Sequence, residues 1–151
     1  MATLKTRDFG SIELPIEAIY QFPQGLYGFD SEKEFALFTR LVDDVNFLYL
    51  QSTNEPSLCF FVVEPWDLFP SFEPELSSEE LKDLDVESVE ELIFLSIAAI
   101  PSNVKDMTLN IKSPIVLNPV SQKGMQLILH NVDYKVRFQP FPSIIGGESQ
   151  C

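Results

Sequence analysis

The feature that most constrains this chain is a series of short apolar runs, each cut off by proline, glycine, asparagine or aspartate. They read "TLKTRDFGSIELP", "AIYQF", "EFALFT", "VNFLYLQS", "SLCFFVVEP", "ELIFLSIAAIP", "MTLNIKSPIVLNP", "GMQLILHNV" and "YKVRFQP". The runs are rich in β-branched and aromatic residues and recur roughly every 8–15 residues, the pattern of an antiparallel sandwich or barrel. Several are apolar throughout instead of alternating. Such strands are covered on both faces, or belong to a small closed barrel with one covered side. The expected fold class is therefore mostly β: a small closed or pseudo-barrel of antiparallel strands with one or two short helices. Its core is expected at the centres of the runs, at Phe22, Phe35, Phe47, Leu50, Phe60, Val62, Phe94, Ile97, Ile115 and Ile128.

Helix signals are few and local. Ser77 is followed three residues on by Glu80, and Ser88 by Glu91, each a capping box. They predict short helices over 77–84 and 88–92. The 151 residues suit one ordinary domain, long enough to bury about 68–70% of the unfolded surface without staples. We expect residues 1–143 to form a single β-barrel-like binding domain and 144–151, "IIGGESQC", a flexible C-terminal tail.

One stretch fits neither strand nor helix. "WDLFPSFEPEL", Trp66–Leu76, holds the only Trp and two Phe, yet Pro65, Pro70 and Pro74 punctuate it. Each proline removes a backbone donor, so a regular helix or central strand is not expected there. The aromatics either cap an open end of the barrel or face a partner.

That stretch feeds into the most acidic part of a chain with net charge −13. Between Glu73 and Glu91 lie nine carboxylates and one cation, Lys82. Part of this run serves the first turns of helices, where negative charge suits the helix dipole. Such a surface repels nucleic acid and anionic membranes, so neither is an expected partner, and it speeds encounter with basic proteins. No apolar run approaches the ~18 residues of a membrane-spanning helix, and "MATLKTRDFG" has no secretory h-region. The two cysteines, Cys59 in an apolar run and Cys151 at the end, suggest no disulfide framework. A cytoplasmic location is expected.

Catalytic and cofactor patterns are missing. His130 is the only histidine, and neither a nucleophile elbow nor a phosphate-binding glycine loop occurs. The adjacent carboxylates lack calcium-loop spacing. No catalytic, metal or cofactor residues are expected. Gly25 and Gly28 in "QGLYG" read as a structural turn with positive φ or close backbone packing.

"FPQGLYGFD", residues 22–30, resembles the signature near the start of the bacterial flagellar assembly factor FliW family, approximately F-P-x-G-[IL]-x-G-F. "FFVVEPWDLFPSFEPELSSEEL" is similar to a second block of that family. "LSIAAIP", "MTLNIKSPIVLNP" and "GMQLIL" follow like later blocks in order, so the resemblance spans roughly residues 3–138. Tyr27 departs from it, since members often carry proline there, which alters the stiffness of the turn.

The resemblance implies a compact β-barrel-like protein that binds other proteins. Members bind the RNA-binding regulator CsrA, freeing flagellin messenger from repression, and also bind flagellin itself. The implied exchange of partners needs no covalent chemistry. The expected partner surface comprises Phe69, Phe72, Glu73, Glu75, Glu79, Glu80 and Asp83, aromatic anchors beside an acidic rim. The competing reading is a small-ligand barrel or unrecognised enzyme, which needs a deep cavity with convergent polar groups.

Overall fold

Alternation along the strands explains why the runs are apolar throughout. In the strand Glu34–Val42, Phe35 and Leu37 turn to one face and Ala36 and Phe38 to the other. The neighbouring strand Val45–Ser52 repeats the division, with Leu48 and Leu50 on the first face and Phe47 and Tyr49 on the second. Both faces are covered, so both phases of the two-residue period are apolar.

The computed structural model describes residues 1–141. The tail expected at 144–151 lies outside the described residues. The strands are β1 (Ala2–Thr6), β2 (Gly10–Leu14), β3 (Ile19–Gln21), β4 (Glu34–Val42), β5 (Val45–Ser52), β6 (Cys59–Val63), β7 (Ile93–Ala99), β8 (Thr108–Leu109), β9 (Ile115–Asn118) and β10 (Lys123–Gln126). β1 and β2 form a separate antiparallel hairpin. The others make one sheet in the order β6-β5-β4-β3-β10-β9-β7-β8, and β6 also pairs with β7. This extra pairing closes seven strands into a ring and leaves β8 as a branch on β7. An antiparallel barrel was expected, but a ring with an odd number of strands must contain a parallel seam. The seam is the Gln21–Lys123 pairing of β3 with β10.

Phe22, Phe35, Leu50, Val62, Leu95, Ile115 and Leu117 fill the ring. On the outside of β4–β6, the hairpin lays Leu4 and Ile12 against Ala36, Phe38 and Tyr49. Arg7 pins it: its backbone N–H donates to Gln51 Oε1 at 2.9 Å and its Nη1 donates to the Cys59 carbonyl at 2.7 Å. On the outside of β7 and β9, the chain between β6 and β7 joins the C-terminal segment to bury Phe72, Leu84, Phe94, Val116 and Leu129.

Helix is confined to α1 (Pro65–Leu68), α2 (Ser78–Asp83) and three single 3-10 turns among the described residues. α2 starts on the predicted capping box, with Ser77 Oγ accepting from the Glu80 N–H and Glu80 Oε1 from the Ser77 N–H. The second predicted helix is a 3-10 turn, Val89–Glu91. Three expectations need correction. α1 places one helical turn at the start of the proline-rich stretch, because Pro65 sits at its first position, where no N–H is needed. "YKVRFQP" is not a strand. It meets β8 at one bridge, Leu109–Phe138, and the Lys135 carbonyl instead accepts from both Ile111 and Lys112. Ile128 is 52% exposed, since Leu127 and Leu129 point inward and the alternation runs one residue out of the expected phase. Phe22, Phe35, Leu50, Val62, Phe94 and Ile115 are buried as expected, while Phe47, Phe60 and Ile97 are half-buried.

Candidate functional site

The proline-rich stretch owes its shape to aromatic packing and to borrowed hydrogen bonds. Trp66 Nε1–H donates to the Phe72 carbonyl at 2.8 Å. The rings of Trp66, Phe72 and Phe94 meet edge to face, with centroids 5.0–6.0 Å apart. Tyr134 stacks on Phe72 at 5.6 Å, and Phe69 packs on Tyr134 and Phe138 at 5.4 and 5.0 Å. The C-terminal segment also satisfies the loop's backbone. Tyr134 Oη accepts from the Glu73 N–H at 2.7 Å, Asn131 Oδ1 from the Glu75 N–H at 3.1 Å, and Asn131 Nδ2 donates to the Glu73 carbonyl at 3.0 Å. Pro70 and Pro74 therefore sit where no ladder bond is required.

This packing separates the expected partner residues. Phe72 is only 3% exposed, so its ring caps the core and is not available as an anchor. That part of the expectation is corrected: the ring lies between Trp66, Phe94 and Tyr134. Phe69 is half-buried. Glu73, Glu75, Glu79 and Asp83 are exposed. Glu80 is half-buried and already engaged, accepting from Ser77 and lying 3.2 Å from His130 Nε2. Asn118 Nδ2 donates to the Leu84 carbonyl at 2.7 Å and ties the end of α2 to β9. Among the described residues, only Asp85 (with Lys123, 3.7 Å) pairs with a lysine or arginine in the acidic stretch, while Glu80 meets the His130 ring nitrogen. The rest of that charge faces solvent unneutralised.

Sequence reasoning missed the role of Asn131 and Tyr134 as the loop's partners. The polar residues in "HNVDY" were the available signal. It also missed what the "QGLYG" turn displays. Gly25 and Gly28 have φ of +67° and +86°. Leu26 is buried beneath them, and Tyr27 and Phe29 stand out at 57% and 39% exposure.

Among the described residues no group of three or more His, Cys, Asp or Glu side chains is placed to hold a metal. Burial pushes the Cys59 thiol up to about 11, far from a reactive thiolate. No helix is long and apolar enough to cross a membrane among the described residues.

Fold and surface together define a small β protein whose sheet closes on a filled interior and whose acidic charge gathers on one braced external segment. Residues 3–140 match the family model described as FliW protein, and the chain belongs to the FliW family. It is 39% identical to the flagellar assembly factor FliW of Syntrophomonas wolfei, covering 87% of this chain and 85% of that one. It is 35% identical to the same factor of Geobacillus kaustophilus, covering 95% and 98%. A crystal structure of the flagellar assembly factor FliW superposes with a TM-score of 0.83 at 35% identity, covering 93% of this chain and 98% of that one.

Proposed function

We propose that this chain is a non-enzymatic flagellar assembly factor of the cytoplasm that works by binding proteins. Residues 1–143 act as a single binding domain. CsrA bound to it is withdrawn from flagellin messenger, and flagellin bound to it leaves CsrA free to repress. The assembly role is supported by the family match and by the names of the relatives. Sequestration by mass action needs no catalytic group.

The observation that carries the choice of surface is the set of exposed carboxylates of Glu73, Glu75, Glu79 and Asp83 beside half-buried Phe69. Tyr134 and Asn131 fix the backbone at Glu73 and Glu75, and Glu79 and Asp83 stand on α2, which is capped by Ser77 and tied to β9 through Asn118. An unneutralised acidic rim on a rigid base suits a basic partner, and an RNA-binding regulator is basic where it meets phosphate. Glu80 joins the surface at its edge, through the face not used by Ser77 and His130. The small-ligand reading is disfavoured because Phe22, Phe35, Leu50 and Ile115 occupy the ring's interior.

The test is calorimetric titration of purified CsrA and purified flagellin, singly and in competition. Each is expected to bind alone, and flagellin is expected to displace CsrA. Absence of binding by both to the unsubstituted protein would overturn the reading.

A further inference from the structure

We propose that the turn carrying Tyr27 and Phe29 is a second docking surface, on which a basic amphipathic segment of a partner protein seats one apolar side chain. This inference rests on the protein-binding reading above and adds a surface built from other residues.

Phe29 stands between two clefts of different character. On one side is a cleft of about 410 Å³ walled mainly by Tyr27, Phe29, Phe60, Ile97 and Val136. Asn110 and Gln126 also line it, but Asn110 Oδ1 already accepts from the Ser113 N–H and the Gln126 amide is bonded to Tyr27 and Ser113. Phe60 and Ile97 belong to the partly buried margin of the ring's interior cluster, so this cleft is the ring's mouth. Phe29 meets Phe60 edge to face at 5.6 Å. Tyr27 and Val136, at 57% and 55% exposure, leave its rim open. Such a mouth is too open to enclose a small molecule, which a ligand site buries by 70–90% as a rule. It has the depth for one side chain entering from a larger partner, and it is aromatic, as interface centres are.

On the other side of Phe29 is a cleft of about 640 Å³ edged by Asp30, Glu32 and Glu55. None of the three has an ion-pair partner among the described residues. Glu32 accepts from the Ser52 hydroxyl at 2.8 Å, which fixes its place. The Ser57 hydroxyl, then its backbone N–H, lower the Glu55 carboxyl from its ordinary value and fix its place at the cleft's edge. Apolar cleft and acidic cleft share one wall. The matching occupant places a Lys or Arg near an apolar residue, the arrangement at the edge of an amphipathic helix.

The surface is formed before any partner arrives. Leu26, 2% exposed, anchors the turn, and the Gly25 N–H donates to the Phe22 carbonyl at 2.9 Å. Gln126 spans the turn and the sheet: its Oε1 accepts from the Tyr27 N–H at 2.9 Å and its Nε2 donates to the Ser113 carbonyl at 3.1 Å. A rigid surface loses little entropy on binding.

Two variants test this. Tyr27→Asp puts a charge on the apolar rim, and Asp30→Lys with Glu55→Lys reverses the acidic edge. All three side chains lie on the surface, and unchanged thermal unfolding serves as the fold control. Purified CsrA and purified flagellin are the probes. We expect each variant to weaken one of the two partners by about tenfold or more, a typical cost for an interface anchor. Binding of both partners to both variants with the affinity of the unsubstituted protein overturns this surface alone. Failure of both partners to bind the unsubstituted protein overturns the protein-binding reading, and this surface with it.

Discussion

Gly25 and Gly28 share a left-handed backbone but not a neighbourhood. A Cβ on Gly25 would lie 2.6 Å from the Asp30 carbonyl oxygen, whereas one on Gly28 would meet nothing within 4 Å. Both alanine variants incur the left-handed penalty of about 1–2 kcal/mol. Only Gly25→Ala adds a backbone clash, so urea titration should show it to be the less stable of the two. Equal losses would remove the clash as a cause. Phe72 is argued in the same way from its surroundings. Buried among Trp66, Phe94 and Tyr134, it should cost about 3–5 kcal/mol of stability when cut to Ala. Affinity measured well below the variant's unfolding transition should be unchanged. Cys59 gives a check by chemistry. With its thiol pushed to about 11, roughly one molecule in a thousand is thiolate at pH 8. In a Cys151→Ser background, a thiol reagent should therefore react slowly with the native protein and rapidly in urea.

Elements differ in how openly the sequence declares them. The β4–β5 hairpin turns through Asp43 and Asp44, with φ of 51° and 65°, and Val42 pairs with Val45 across it. Two positive φ values in a two-residue loop suit Asn-Gly better than Asp-Asp. Asp44→Gly should therefore raise stability by about 0.5–1 kcal/mol, and a lower midpoint in urea would contradict the turn assignment. The start of α2 was legible because a capping box is a local device, complete within Ser77–Glu80. The ring strands were legible because covering on both faces forces whole runs to be apolar. Other features were hidden because distant residues decide them. The phase of Leu127–Leu129 depends on which face the C-terminal segment meets. The shape of "YKVRF" depends on β8, whose Leu109 it bridges. The fate of Phe72 depends on Tyr134, 62 positions away in the chain, and no periodicity near Phe72 reports it. The candidate surface was thus half legible: its charges are local, whereas the burial of its aromatic is not.

At the scale of the whole molecule, charge and fold are nearly independent. The ring is held by apolar side chains inside and out, while most of the carboxylates between Glu73 and Glu91 are solvated. Reversing some of them should therefore change encounter without changing structure. Glu80 must be spared, because it caps α2 and faces His130. The informative variant is Glu75→Lys, Glu79→Lys and Asp83→Lys together, all at exposed positions. Rim charges act mainly on association, through a field that salt screens over a Debye length of about 8 Å at physiological ionic strength. With CsrA as the partner, we expect slower association at low salt, a flatter dependence of that rate on salt, and a smaller change in dissociation. Thermal unfolding should stay cooperative, and a lost transition would mean the charges had hidden structural roles. Unchanged association at both low and high salt would leave the acidic segment with a solubilising role only. The partner-binding face would then have to be sought elsewhere on the ring, with the Tyr27–Phe29 turn the next surface to probe.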